Sequence, residues 1–142
     1  MAIKIDSSNF LESIKELENR VEKNEIKYVT VCAAEVERVA KTSMRDTLID
    51  NGKTYGKRGH HPSYPYNAPA IDNGTMLRSI THDVIIQNGQ PVGRVGSILN
   101  NPPYPRYLEY GTSKMKPRPW LNASLIKCQS FMAAKLKEIF GK

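Results

Sequence analysis

Residues Tyr104 to Leu121 read Tyr-Pro-Arg-Tyr-Leu-Glu-Tyr-Gly-Thr-Ser-Lys-Met-Lys-Pro-Arg-Pro-Trp-Leu, and they lead into the last predicted helix. Gly111 provides a backbone position without a Cβ atom, so the chain can turn sharply there. Pro117 and Pro119 fix their own φ angles and push the residue before each of them toward an extended conformation. The segment therefore predicts a fixed change of chain direction.

The same segment has the composition of a binding surface. Tyrosine and tryptophan offer large contact areas with few rotatable bonds, and arginine adds a planar set of hydrogen-bond donors. Two interpretations remain open for it: an anchor for a partner, or a loop that folds back over its own core. Trp120 in particular is either a core side chain or a contact.

Apolar spacing predicts the remaining elements. The C-terminal helix, residues 119–140, carries apolar residues at helical intervals and should pack on a sheet or on the N-terminal helix. Asn88-Gly89 lies between two β-rich runs and predicts a two-residue hairpin turn. Asp72 or Asn73 can cap a short helix before it. Residues 104–110 either form a strand or make a helical turn. The apolar positions of the C-terminal helix are Leu121, Leu125, Cys128, Met132, Leu136 and Ile139.

Residues 1–49 form the predicted N-terminal helical segment, with residues 1–6 as a short extended arm. The apolar pattern slips in phase at residues 23–25, which leaves either one long helix with a shifted stripe or two segments with a kink. A strand over residues 28–31 is a minor alternative, because that run is β-branched. The apolar positions are Phe10, Ile14, Leu17, Val21, Tyr28, Cys32, Val36 and Val39.

Residues 50–71 contain repeated glycine and proline and no apolar period. Such long loops are uncommon within a compact domain and are usually functional or mobile. We expect an arm that is loose in the free protein and ordered by a neighbour; the alternative is a crossover without contacts. Its candidate contact residues are Tyr55, Arg58, His60, His61, Tyr64 and Tyr66.

The length of 142 residues suits one domain, residues 1–142, and the net charge is +7. Charge is unevenly distributed: residues 1–50 carry 8 Lys+Arg against 10 Asp+Glu, and residues 51–142 carry 13 against 4. The two parts could face different neighbours. Cys32 and Cys128 lack the spacing of a disulfide or zinc framework and should be buried. No apolar run has the length of a membrane span or signal peptide, so we expect no membrane association and a cytoplasmic location when the protein is made.

We found no arrangement of residues that predicts catalysis, a cofactor or a metal site. His60-His61 lacks further ligands nearby. Ser79, His82 and Asp83 are too close in sequence to form a hydrolytic triad, and His82 is interpreted as a surface residue at a strand start. The alternation of Lys114, Lys116 and Arg118 beside Trp120 is instead typical of a nucleic-acid groove, so a basic nucleic-acid-binding module is the alternative function.

Two motifs resemble a known family. Tyr107-Leu108-Glu109-Tyr110-Gly111-Thr112, followed by Lys114-Met115-Lys116-Pro117-Arg118-Pro119-Trp120-Leu121, is similar to the signature of the tail-completion proteins (also neck or head-tail joining proteins) of lambda-like long-tailed phages. Asp72-Asn73-Gly74-Thr75-Met76-Leu77-Arg78-Ser79-Ile80 resembles a second element of that family, Thr-Gly-x-Leu-Arg-x-Ser-Ile, with Asn-Gly-Thr replacing the Thr-Gly order.

The resemblance implies a structural, oligomeric virion protein without enzymatic activity. It would act in the neck of the phage as a minor tail protein, after a period in the host cytoplasm during assembly. It implies a monomer when free, a ring on the assembled tail, contacts with the tail tube and head-completion proteins, and DNA passing nearby without specific binding. The implied contacts are Arg106, Tyr107, Glu109, Tyr110, Gly111, Thr112, Lys114, Met115, Lys116, Pro117, Arg118, Pro119 and Trp120.

The predicted fold is α+β. It consists of a long N-terminal helix, a mobile loop, a small antiparallel sheet with a β-hairpin within residues 72–118, and a C-terminal helix packed on the sheet.

Overall fold

A computed structural model describes residues 8–141, and its longest element is helix α1 (Ser8–Arg45). The helix has 38 residues and, at about 1.5 Å per residue, extends for about 57 Å. Of the alternatives left open for this segment, one long helix is correct, and the strand over residues 28–31 is wrong. The predicted arm, residues 1–6, lies outside the described residues.

A β-hairpin lies against α1. Strands β1 (Ile80–Gln87) and β2 (Gln90–Ser97) pair antiparallel, and Gln87 lies opposite Gln90 across the turn. Both turn residues have positive φ, 51° at Asn88 and 75° at Gly89, which is the requirement of a type I′ turn. The predicted hairpin is therefore confirmed. The short helix before it is α2 (Thr75–Ser79), where the Thr75 N–H donates to the Asn73 side chain at 2.9 Å.

The segment after β2 forms helix α3 (Tyr104–Tyr110), so the helical alternative is correct there. The C-terminal region forms α4 (Asn122–Lys127) and α5 (Gln129–Phe140) rather than one helix from residue 119. At Cys128, which separates them, the N–H is shared between the Ser124 and Leu125 carbonyl oxygens, each at 3.1 Å. The Met132 N–H still donates to Cys128 O at 2.9 Å, so helical hydrogen bonding continues across the junction.

Helix α1 is the element on which both the hairpin and the C-terminal helices pack. The expectation that the C-terminal helix packs on the sheet is corrected here, since its main partner is α1. Gly93 shows how closely the hairpin approaches: a Cβ atom there would lie 3.0 Å from Val29 Cγ1 and 3.2 Å from Ala33 Cβ. The missing side chain thus allows strand and helix to meet.

The core lies at the C-terminal part of α1. Its central cluster consists of Ala40, Met44, Met76, Ile80 and Trp120. The buried residues of α1 all fall between Cys32 and Met44, whereas its N-terminal half is exposed. Cys32 and Cys128 are buried, as predicted, and both are free. Burial raises the pKa of both thiols, which lowers the fraction of thiolate at neutral pH.

A half-buried contact between a carboxylate and an imidazole joins α1 to the first strand. Glu37 Oε2 lies 2.5 Å from His82 Nδ1, and Glu37 Oε1 accepts a hydrogen bond from Lys41 Nζ. The interpretation of His82 as a surface residue is corrected, because the start of β1 faces α1. Burial by itself would raise the pKa of Glu37, but the hydrogen bonds from Lys41 and His82 outweigh it, and the net pKa lies below its ordinary value.

The substitution Glu37→Gln tests this contact. A carboxylate with a lowered folded-state pKa stabilises the fold fully above its unfolded-state pKa, and the contribution is lost as pH falls through the folded value. We expect Glu37→Gln to lower the free energy of unfolding by about 1–2 kcal/mol at pH 7, and the difference to shrink on acidification. Urea unfolding at pH 7 and at pH 3 measures it.

The matched control is Glu16→Gln, on the exposed half of the same helix. It should change the free energy of unfolding by less than about 0.5 kcal/mol. An effect of Glu37→Gln that is equally large at both pH values would contradict the assignment.

Candidate functional site

The corner, which we define as residues 104–122, is held by the carboxylate of Glu109. Its Oε2 atom accepts hydrogen bonds from the N–H groups of Trp120 at 2.8 Å and Leu121 at 2.9 Å. Its Oε1 atom accepts one from the Asn122 N–H at 2.9 Å. The first N–H groups of a helix have no partner within the helix, and a negative charge there is favourable. Glu109 therefore ties α3 to the start of α4.

Gly111 allows the turn that follows α3. Its φ is 76°, and a Cβ atom at this position would lie 2.8 Å from Met115 O and 2.9 Å from Pro117 N. The chain then closes a tight loop, in which the Thr112 N–H donates to Met115 O at 2.8 Å. A side chain at position 111 would collide with the backbone of that loop.

Trp120 belongs to the core. Its side chain is 4% exposed, and its indole N–H donates to Pro105 O at 3.0 Å. Of the two interpretations kept open for this residue, the core side chain is correct. As a partner contact it is wrong, because the indole is covered by the protein's own residues.

Arg118 joins the corner to residues 50–71. Its Nε–H donates to Ser63 O at 3.0 Å, and its backbone N–H donates to Leu108 O at 2.6 Å. The Tyr66 N–H donates to Pro117 O at 2.8 Å, which adds a second connection between the two segments. Arg118 is half-buried, so its main role is within the chain.

The remaining corner residues differ in exposure. Tyr110 is 76% exposed and Tyr107 is 46% exposed, so both rings face solvent. Three candidate residues are half-buried: Met115, Pro117 and Pro119. The candidate contact residues whose side chains are exposed are Arg106, Tyr107, Tyr110, Thr112, Lys114 and Lys116.

Residues 50–71 lack helix and regular strand, as predicted, but they make defined contacts. The Asp50 N–H donates to Pro62 O at 2.8 Å, and the Thr47 hydroxyl donates to Ala68 O at 2.6 Å. The alternative of a crossover without contacts is therefore wrong, whereas looseness in the free protein stays a prediction. Tyr55, Arg58, Tyr64 and Tyr66 are exposed, and His60 and His61 are half-buried.

The histidine pair makes separate contacts. His61 Nδ1 lies 2.9 Å from Lys53 O, whereas His60 Nδ1 lies 3.8 Å from the Asp72 carboxylate. Within residues 8–141, no group of three or more His, Cys, Asp or Glu side chains is arranged to hold a metal ion. None of the helices in this range has the length and apolar character needed to cross a membrane.

Residues 50–71, α2 and the corner, which includes α3, enclose a cleft of about 640 Å³. Apolar side chains form much of its lining, among them Met44, Ile71, Leu108 and Met115. Sequence reasoning did not predict this cleft. The basic run at residues 114–118 was the one sequence feature that pointed to the cleft. Sequence spacing alone does not bring that run into the same cleft as Ile71. The charged residues that line the cleft are Lys53, Asp72, Lys114, Lys116 and Arg118.

Ser63 lies in the wall of the cleft. Its residue is 0% exposed, and its hydroxyl has no hydrogen-bond partner among the described residues. A buried hydroxyl without a partner costs about 1–3 kcal/mol. The cleft thus combines an apolar lining, a basic rim and one unsatisfied polar group.

A second surface lies on the N-terminal half of α1. Phe10 is 66% exposed and Leu17 is 49% exposed, and Leu11 and Val21 are also exposed. The sequence pattern predicted these residues as an apolar stripe, but did not indicate that the core ends before reaching it. Apolar residues at helical spacing that remain in solvent are typical of a surface for a partner.

Glu109→Gln should weaken the corner. An amide has one acceptor oxygen and places an NH₂ group where a second acceptor is needed, so at least one helix N–H loses its partner. We expect the free energy of unfolding to fall by about 1–3 kcal/mol in urea titrations. Glu16→Gln, on the exposed half of α1, is the control and should have a much smaller effect. Equal effects of the two substitutions would contradict the capping role.

Gly111→Ala should be more damaging than the same change in the hairpin turn. Both Gly111 and Gly89 have positive φ, 76° and 75°, but a Cβ atom at Gly89 meets no atom within 4 Å. Gly89→Ala therefore measures the backbone strain alone, about 1–2 kcal/mol. Gly111→Ala should lose at least about 1 kcal/mol more, because Gly111 has a ψ of −178°, a conformation essentially restricted to glycine, and because the loop must also move. Thermal unfolding of both variants measures the difference, and equal losses would exclude the collision.

In this geometry, one carboxylate holds three N–H groups, and one glycine makes room for a closed loop. Comparison with known proteins gives no family or relative from which to assign it. No protein-family model, curated protein or solved structure matches the chain.

Proposed function

We propose that this protein is a structural component of a tailed-phage virion that completes the head-proximal end of the tail and joins the tail to the head. The observation that carries the proposal is the corner. The residues of the Tyr107–Thr112 and Lys114–Leu121 motifs, which resemble the tail-completion family, build one structural unit. Glu109 caps the start of α4, and Gly111 makes the turn between the motifs.

Exposed apolar surface supports assembly as the role. Tyr107 and Tyr110 present aromatic rings on the corner, and the N-terminal half of α1 presents a second apolar surface. Monomeric soluble proteins rarely expose large contiguous apolar patches unless these serve as binding sites. In the proposal, sister copies cover part of this surface when a ring forms on the tail. The tail tube and the head-completion proteins would cover the rest.

The corner has the composition of an interface centre. Tyrosine and arginine are enriched among the residues that contribute most to binding energy at interfaces. The exposed side chains of the corner include Arg106, Tyr107 and Tyr110. Lys114 and Lys116 add exposed basic groups to the corner. DNA that passes through the neck would encounter these charges without specific recognition, which fits the proposed place in the virion.

Disrupting the gene in the parent phage and complementing it with variants tests the proposal. Without the protein, electron microscopy of the lysate should show packaged heads beside unattached tails. Complementation with Tyr110→Ala should lower the titre by about thirtyfold or more, the effect of losing about 2 kcal/mol at an interface centre. Ile86→Ala, an exposed apolar residue on the hairpin, is the control and should complement normally. Normal virions in the absence of the gene would end the proposal.

The second candidate is a basic nucleic-acid-binding module, favoured by Lys53, Lys114 and Lys116 on the cleft rim. Neutralising about three phosphates predicts a slope of about −2.7 for log K against log salt. The assembly proposal instead expects negligible affinity for naked DNA at physiological ionic strength. A fluorescence-anisotropy titration with duplex and single-stranded DNA over a range of salt concentrations distinguishes the two.

A further inference from the structure

The apolar stripe of α1 has an acidic border. Phe10, Ile14, Leu17 and Val21 recur at intervals of four, three and four, so they share one face of the helix. Glu18, Glu22 and Glu25 recur at intervals of four and three, and therefore form a row along one side of that face. Residues 8–25 carry five acidic against three basic side chains. In the part of the chain that the structure describes, none of the three row carboxylates forms an ion pair.

The cleft has the opposite character. Its charged lining comprises four basic side chains and one acidic side chain, around an apolar interior that includes Met115 and Leu108. Ser63 contributes a fully buried hydroxyl without a partner in the described chain. An apolar groove with a basic rim is suited to an amphipathic helix with an acidic border.

These two surfaces lie far apart in one molecule. Met44, near the C-terminal end of α1, lines the cleft, whereas Leu17 lies in the stripe. They are separated by 27 positions of one helix, which corresponds to about 40 Å. A single continuous helix cannot fold back over that distance to fill its own cleft. The occupant must come from another molecule.

We propose that the N-terminal half of α1 in one copy docks in the cleft of a second copy, with the row of Glu18, Glu22 and Glu25 facing Lys53, Lys114 and Lys116. Because the two complementary surfaces differ and lie at opposite ends, the contact is head-to-tail, and it generates a closed ring or an open helical filament. The inference rests on the proposed function, for which it names the subunit interface.

A parallel coiled coil of two α1 helices is the competing arrangement. It would pair the stripe with itself and leave the cleft empty. The stripe covers only about two heptads before Asn24 interrupts it, whereas stable coiled coils sustain the pattern for at least about three or four. The charge difference between stripe and cleft also has no role in that arrangement.

Cysteine cross-linking distinguishes these arrangements. Ser13→Cys places a thiol beside the stripe, Ser113→Cys places one beside the basic rim, and Ser130→Cys on exposed α5 is the control. The native cysteines are buried, so they do not compete. Pairs of full-length variants are mixed at high concentration, and in parallel are bound to tails from a lysate lacking the protein. A short bismaleimide then links nearby thiols, and denaturing gels with mass spectrometry identify the products.

The head-to-tail contact predicts a heterodimer between the Ser13→Cys and Ser113→Cys chains. Its yield should exceed by at least about tenfold the yield of either variant paired with Ser130→Cys. A dominant Ser13→Cys homodimer would overturn the proposal in favour of the coiled coil. Absence of the heterodimer both in solution and on tails would overturn it as well.

Charge reversal provides an independent check. Glu18→Lys combined with Glu22→Lys should lower the heterodimer yield about fivefold to tenfold, as should Lys114→Glu combined with Lys116→Glu in the partner. Mixing the two reversed chains should restore the yield. Glu12→Lys combined with Glu16→Lys makes the same charge change away from the stripe and should leave the yield unchanged. The contact would be contradicted if mixing the two reversed chains did not restore the heterodimer yield and the Glu12→Lys, Glu16→Lys control lowered that yield by the same factor.

The results separate this inference from the function on which it rests. If variants join tails to heads normally but give no heterodimer, the ring uses other contacts and the inference fails alone. If the heterodimer forms but tails join heads without the protein, the joining role fails and the head-to-tail contact stands.

Discussion

One carboxylate determines the course of the chain at the corner. Glu109 accepts hydrogen bonds from the three N–H groups at the beginning of the C-terminal helices, and thereby fixes where α4 starts relative to α3. That position carries Trp120 into the core, where its indole N–H meets Pro105 O. The corner also holds residues 50–71 through Arg118. The cleft wall depends on the same contacts, because it is made from these segments.

The distribution of the core along α1 accounts for the exposed surfaces. Buried residues of this helix begin at Cys32 and end at Met44, where the hairpin and the C-terminal helices pack on it. Toward Ser8 the helix continues with an apolar face that stays exposed, although the hairpin turn at Gly89 and the end of α5 lie beside it. Most of the stability of helices in proteins comes from packing of one amphipathic face. A partner along the stripe supplies that packing in the proposed assembly.

Much of the fold was predictable because local rules determine it. The period of apolar residues indicated the long helix, and Asn88-Gly89 indicated the hairpin. The C-terminal helix was found, but its packing partner and its start at Asn122 were not. Both depend on contacts between residues distant in sequence. Glu109, for instance, caps the N–H groups of Trp120, Leu121 and Asn122, and the helix begins only at Asn122. The spacing of apolar residues alone does not indicate this cap.

The site was predictable only in part, for the same reason. The sequence indicated that the corner is special, but burial separates its residues into those that shape it, such as Gly111 and Trp120, and those that face solvent, such as Tyr110. The cleft required three segments to come together, so composition alone did not reveal it. Glu18, Glu22 and Glu25 lie beside the apolar stripe of α1. Their row beside an exposed stripe becomes informative only when the core is seen to end short of it.

In a head-to-tail assembly, the angle between the cleft and α1 determines whether successive copies close into a ring or continue as a helix. Met44, Lys114 and Lys116 line the cleft, and Gly111 and Glu109 fix the loop that carries the two lysines. These two residues thus influence ring closure without contacting a neighbour. The motif combines residues that fix the shape of the loop with exposed tyrosines that are free to contact a partner. The corner therefore both shapes the cleft and carries Lys114 and Lys116, two of the residues proposed to contact a neighbour.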